Sequence, residues 1–162
     1  MQFLFFSLFS TIIVVADQVT KYFVQQYIPL HGEVAFLPGF LQLTYVQNTG
    51  AAFSLFQQQQ WLFAVVFALL TVGILYEYFK ARLPFSTFDR WCIAAIFGGG
   101  LGNMIDRLRF GYVVDMIKTE FITFPVFNIA DCFITCGCIA LLISLVFFNK
   151  GFWKEEKNEP HR

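Results

Sequence analysis

The sequence predicts an all-α membrane protein, four transmembrane helices with a small extracytoplasmic β-sheet on the membrane surface. Three observations carry this expectation. Of 162 residues, 57% are hydrophobic and only 14% charged, where a soluble domain carries about a quarter charged. Four apolar stretches each come close to the roughly 20 residues that a helix needs to cross the hydrocarbon. Between the first two lies a segment punctuated by Gly32, Pro38, Gly39 and Gly50, within which Leu41-Gln42-Leu43-Thr44-Tyr45-Val46-Gln47 alternates as a strand does. Residues 1–149 are expected to form a single membrane domain and residues 150–162 a charged cytoplasmic tail.

The first helix is expected over about 3–26, closed by Pro29. A cleaved signal peptide fits poorly, because the first sixteen residues lack a basic residue and Val14-Val15-Ala16 runs into Asp17 where a cleavage site would lie. Asp17 and Lys21 are four apart, acid before base, the favourable order for an ion pair along one helix face. A snorkelling pair at the interface and a direct role at a site are equally open readings. The sheet is expected over about 29–56. Asn48-Thr49-Gly50 is a turn signal, and Ala51 to Phe56 is expected to return as a second strand. One face would rest in the headgroups while the other covers a site.

The remaining helices are expected over about 61–79, 91–108 and 127–148. Lys80, Arg82 and Arg90 flank the second connection, and Lys150, Lys154, Lys157 and Arg162 fill the tail, so both regions are expected in the cytoplasm with both termini. The sheet and the 109–126 connection then face the opposite side. Lys21, Arg107, Arg109 and Lys118 run against this bias, with Asp17, Asp106 and Glu120 near enough to compensate some of them.

Two carboxylates stand beside apolar spans, Asp115 and Asp131. A charge at membrane depth costs about 2.5 kcal/mol or more, which makes each a functional candidate. Ile122, Thr123 and Pro125 break any helix between them, so the chain turns back and can bring them together. Asn128 is a good N-cap with Asp131 at the third helical position, a capping pair. Capping accounts for Asp131 alone, not for a second acid nearby. Two carboxylates in one site do not both ionise easily, so one keeps a proton while the other acts as base. That is what activating a water and protonating a leaving amine require. In the third span, Gly98, Gly99, Gly100 and Gly102 read as helix packing. Asn103, Asp106 and Arg107 lie within about 1.5 turns of one another. Asn103 and Arg107 face one way, and a guanidinium with planar, paired donors holds a backbone or a carboxylate in one geometry.

Other chemistries find little support. There is no H-E-x-x-H and no G-x-S-x-G, and Gly100-Leu101-Gly102-Asn103 ends in Asn where presenilin-type proteases carry Asp. Cys92, Cys132, Cys136 and Cys138 read as small core residues, and His31 and His161 offer too few nitrogens nearby for zinc, so no metal and no cofactor are expected. The basic residues form no stripe suited to nucleic acid. A small transporter or channel subunit would want polar groups through the whole membrane thickness, whereas these acids cluster at one surface. A magnesium-dependent lipid phosphotransferase would use the aspartates as ligands.

The set Asp17-Gln18-x-x-Lys21, Asn48-Thr49-Gly50-Ala51-Ala52-Phe53, Gly102-Asn103-x-x-Asp106-Arg107, Val113-Val114-Asp115 and Phe127-Asn128-Ile129-Ala130-Asp131 resembles the lipoprotein signal peptidase family, also called signal peptidase II. The resemblance runs from Asp17 to about Phe148, in the family's order. It implies a multi-pass aspartyl endopeptidase of the bacterial cytoplasmic (inner) membrane that cleaves diacylglyceryl-modified prolipoproteins before the lipidated cysteine, with its site near the extracytoplasmic surface. By that resemblance Asp115 and Asp131 are the catalytic pair. Asn48, Gly50, Asn103, Arg107, Asn128 and Ala130 line or support the substrate site, with Asp17, Lys21 and Asp106 as polar groups beside it. The partners implied are lipid-modified prolipoproteins and membrane lipids, and the protein is expected to be a monomer.

Overall fold

The structure, a computed structural model, describes residues 2–50, 60–80, 83–149 and 151–152. Helix α1 (Gln2–Tyr27) ends where Pro29 forbids its continuation. Strands β1 (Glu33–Leu37) and β2 (Leu41–Asn48) form a hairpin whose turn holds Gly39 at a left-handed φ of 79°. Helix α2 (Gln60–Lys80) follows, then α3 (Thr87–Phe110), strand β3 (Val113–Thr119) and α4 (Ile129–Ile143), which continues through Ser144–Phe148 as a π-helical turn. β3 pairs antiparallel with β2, giving the order β1-β2-β3 and setting Asp115 opposite Val46.

The expected helices are present, with α3 starting four residues earlier than expected. Ser86 and Asp89 cap its N-terminus reciprocally, a device the sequence displays as S-x-x-D, and Gly111 in the left-handed region closes the other end. The expected strand is also present, but its partners are β1 and β3. The return strand expected over Ala51 to Phe56 lies outside the described residues, as does nearly all of the charged tail. Asp115 lies within β3, so the 109–126 connection adds a strand to the sheet expected over about 29–56 alone. Of the four cysteines read as core, Cys92 is buried and Cys132 half-buried, whereas Cys136 and Cys138 are exposed. The inner face of α4 is instead the one carrying Gly137, which closes on Cys92 and Ile96 of α3.

Among the described residues, Leu4–Tyr27 and Ile129–Phe148 are long and apolar enough to cross a membrane, and Trp61–Glu77 is a shorter apolar helix. α3 carries Asp89, Arg90, Asp106, Arg107 and Arg109, which lower its hydropathy. Leu8, Ile12 and Val15 of α1, Val66, Leu69 and Val72 of α2, and Ile139 and Leu142 of α4 face outward. Contiguous apolar surface of this extent belongs to a protein solvated by lipid.

Helix α3 is the centre of the bundle, with α1 and α4 packed along it and α2 resting on it through Phe67, stacked on Phe97 at 5.5 Å. Close approach needs glycine at two positions. A Cβ on Gly99 would fall 2.5 Å from the Ala130 carbonyl oxygen, and one on Gly102 would fall 2.6 Å from an Asp17 carboxylate oxygen. The sheet is fixed to the end of α1 by an apolar cluster of Val24, Ile28, Tyr45, Val114 and Met116. These contacts hold β3 and the first turn of α4 against the same end of α3.

The Gly99 contact is with backbone, which cannot give way as a flexible side chain can. Gly99→Ala is therefore expected to lower stability by about 1–3 kcal/mol, read as a lower unfolding midpoint in detergent. Gly73→Ala, where an added Cβ would meet nothing within 4 Å, is expected to leave the midpoint unchanged or raise it.

Candidate active site

The site begins with three charges placed where water does not reach. Lys21 of α1 lies 2.8 Å from Asp17, one turn earlier, and 3.0 Å from Asp106 of α3, and all three are at most 2% exposed. This is no snorkelling pair. The ammonium reaches across to α3, and the glycine at position 102 makes room for the Asp17 carboxylate. Gln18 ties the arrangement together, donating to Asp106 at 2.9 Å and to the Gly102 carbonyl at 3.1 Å.

Each of the two buried acids also accepts one backbone N–H from outside its own helix. Asp17 takes that of Ala130 at 3.0 Å, and Asp106 takes that of Val114 at 3.0 Å. Ala130 and Val114 are the residues immediately before Asp131 and Asp115. The cluster thus fixes the backbone on which each member of the carboxylate pair is carried.

The pair itself is joined through Asn128. Its side-chain amide donates to Asp115 at 2.6 Å, while its backbone N–H donates to Asp131 at 3.2 Å and its side-chain oxygen accepts from the Asp131 N–H at 2.9 Å. The second oxygen of each carboxylate meets another asparagine: Asn48, from the end of β2, donates to Asp115 at 2.8 Å, and Asn103 of α3 donates to Asp131 at 2.8 Å. The Asn103 oxygen accepts from Lys21 at 2.9 Å and from Asn128 at 3.1 Å, which fixes which way its amide points. Asp115 is 2% exposed and Asp131 half-buried. Burial, and next the negative charge of Asp131, push the Asp115 carboxyl up to about 7, against the opposing pull of the Asn48 and Asn128 amides.

Arg107 stands at the rim. It donates to the carbonyl oxygens of Gly50 and Asn103, each at 3.3 Å, and its guanidinium lies 4.1 Å over the Phe63 ring. Gly50 in turn donates its N–H to Asn48 at 2.9 Å, so Arg107 steadies the turn from which Asn48 reaches Asp115. Of the other cations that run against the loop bias, Lys118 pairs with Glu33 rather than with Glu120, which instead accepts from the Gly39 N–H. Asp17, Lys21, Asn48, Gly50, Asn103, Asp106, Arg107, Asp115, Asn128, Ala130 and Asp131 are all brought into one connected assembly. Sequence reasoning missed the bridging part of Gln18, visible only as an amide beside Asp17 in an apolar span, and the Phe63 ring, for which an apolar helix offers no signal.

Comparison with known proteins places this assembly among relatives. The family model for signal peptidase (SPase) II matches residues 9–147. The lipoprotein signal peptidase of Streptococcus agalactiae serotype V is 43% identical over 152 residues, 93% of this chain and 94% of that protein. That of Streptococcus pyogenes serotype M1 is 41% identical over 151 residues, with the same coverage. A bacterial membrane enzyme solved by the in meso method at 2.3 Å resolution superposes with a TM-score of 0.83 at 32% identity, covering 96% of this chain and 94% of its own.

A lone cation between two buried acids predicts a large cost for its removal. Lys21→Met leaves Asp17 and Asp106 without compensation, and breaking a buried pair in this way costs about 3–5 kcal/mol. A strongly lowered unfolding midpoint in detergent is expected, partly recovered when Asp106→Asn is added.

Proposed function

The chain belongs to the signal peptidase II family, and from that premise we propose that it removes the signal peptide from diacylglyceryl-modified prolipoproteins, using Asp115 and Asp131 to hydrolyse the peptide bond before the lipidated cysteine. The observation that carries this reading is the meeting of the two carboxylates on Asn128. The pair holds one proton. One carboxylate takes a proton from a water as its oxygen attacks the scissile carbonyl carbon, and the carboxylic acid gives its proton to the developing oxyanion. Collapse of the tetrahedral species returns a proton to the leaving nitrogen as the C–N bond breaks. Asn48, Asn103 and Asn128 keep the carboxylates in place while their charge changes hands, and Arg107 positions the Gly50 turn beside them.

The same reading sets α1, α2, α3 and α4 across a bacterial cytoplasmic membrane with both termini in the cytoplasm. The support is the placement of Lys80 and Arg90 at the end of the bundle opposite the carboxylate pair. The exposed apolar side chains of the sheet, among them Val34, Phe36, Leu37 and Phe40, then rest at the outer surface of the bilayer, and the chain works as a monomer.

The dyad acts as a unit. Asp115→Asn and Asp131→Asn are each expected to abolish cleavage of a lipidated precursor by purified protein, with a chelator leaving the wild type active. The double variant is expected to cost little beyond either alone. At this third helical position an Asn side-chain oxygen can still accept the Asn128 backbone N–H, so Asp131→Asn is expected to keep the fold. Substantial turnover by either single variant defeats the aspartyl mechanism.

The raised Asp115 carboxyl carries a second expectation. Its ordinary value is 3.8 and its folded value about 7, so between these the folded state binds more protons than the unfolded. Stability therefore falls as pH rises from about 4 to about 7 and levels off above. Cleavage loses its acid over the same upper limb. Unfolding midpoints taken across this range are expected to decline for the wild type and to lose most of that decline in Asp115→Asn.

A further inference from the structure

Away from the carboxylate pair, an apolar groove of about 650 Å³ runs between α1 and α2 over α3. Its floor is Ile93 and Phe97, its walls Phe6 and Val14 on one side and Leu70 and Ile74 on the other. It lies in the half of the bundle opposite the dyad. The Phe67 ring, stacked on Phe97 and against Gly100, stands between the groove and the end of α2 where Phe63 meets Arg107. Two of the four hydroxyl side chains along it are already engaged with backbone: Ser10 donates to the Ala94 carbonyl at 2.9 Å, and Thr71 to the Phe67 carbonyl at 2.8 Å. The interior thus offers an occupant apolar contact and few polar atoms, within the size range of a small-ligand site.

The two charged residues lining the groove are Glu77 and Arg90, and they differ in what they already hold. The Glu77 carboxylate accepts the Leu83 N–H, at 3.0 and 3.2 Å. The half-buried Arg90 guanidinium has no hydrogen-bond or ion-pair partner among the described residues. A signal peptide would bring a basic segment to this end, where the Arg90 cation repels it. An anionic headgroup with apolar chains matches both features, as basic pockets between helices do on the cytoplasmic side of membrane proteins.

We infer that this groove is a binding site for an anionic phospholipid of the leaflet opposite the active site, its acyl chain between α1 and α2 and its phosphate on Arg90. The inference rests on the reading of these helices as membrane-spanning, but not on the aspartyl mechanism. The test uses the purified full chain in detergent micelles, with bound lipid counted by native mass spectrometry after exposure to phosphatidylglycerol or to phosphatidylcholine with the same chains. Retention of phosphatidylglycerol is expected to exceed that of phosphatidylcholine about five- to tenfold, the scale of one charge contact at a membrane surface. Arg90→Gln is expected to remove the preference, Arg90→Lys to keep most of it, and Ile74→Trp, which fills the groove, to lower retention of both lipids. Asp115→Asn is expected to bind lipid as the wild type does, so loss of cleavage and loss of lipid are separate results. Equal retention of the two lipids by the wild type, a preference that survives Arg90→Gln, or displacement of the bound lipid by a synthetic signal peptide with a basic N-terminus would overturn the inference.

Discussion

The structure depends on one ammonium group. Lys21 holds Asp17 and Asp106 together in an interior that would otherwise reject both, and those two acids are the clamps on the backbone at Ala130 and Val114. An isolated charge in such a place costs several kcal/mol, so the three groups are worth having only as a set. The first helix carries neither carboxylate of the pair, yet it sets the positions of both. The strand with Asp115 and the helix with Asp131 come from distant parts of the chain, and each is gripped one residue upstream of its acid. A carboxylate accepting a backbone N–H leaves little rotational freedom, the kind of outer support that separates a usable site from one merely present.

Three asparagines surround the pair for a reason that other polar residues do not meet. An asparagine amide donates from one atom and accepts at another, so a cation can dictate its orientation. Lys21 and Asn128 both donate to the Asn103 oxygen, leaving the Asn103 nitrogen to face Asp131. Asn128 repeats the pattern with its oxygen on the Asp131 N–H and its nitrogen on Asp115. An aspartate at either position would present acceptors alone and set a third negative charge beside the pair. Burial in these surroundings raises Asp115, and the donors limit how far.

The helices were legible because each contains a long, largely apolar run that is read locally along the chain. The Asn128 cap and the i, i+4 relation of Asp17 and Lys21 were legible too, since both are local. β3 was not. Val113-Val114-Asp115-Met116 is buried on successive residues, so it lacks the period of two by which half-exposed strands announce themselves. Its pairing with β2, set by contacts some seventy residues apart, leaves no local trace. The start of α3 was readable in Ser86 and Asp89 but lay outside the apolar run that drew its limits. The candidate residues could be named one by one, yet that Asp17 reaches Ala130 and Asp106 reaches Val114 is tertiary information. So is the direction in which Arg107 points, toward the Gly50 turn.

The hydrogen bond between Asp17 and the Ala130 N–H joins the first helix to the last across more than a hundred residues, and this bears on how the protein is made. While α1 emerges alone, its acid and base are one turn apart and neutralise each other, which lets an otherwise apolar segment partition into lipid. Asp106 arrives with α3 and is accepted by a lysine already waiting. Only when α4 has been made does the Ala130 amide close the clamp and Asp131 reach Asn103. A nascent chain halted before that step carries Asp115 without the Asn128 amide that joins it to Asp131, so the connected assembly closes only at the end of synthesis.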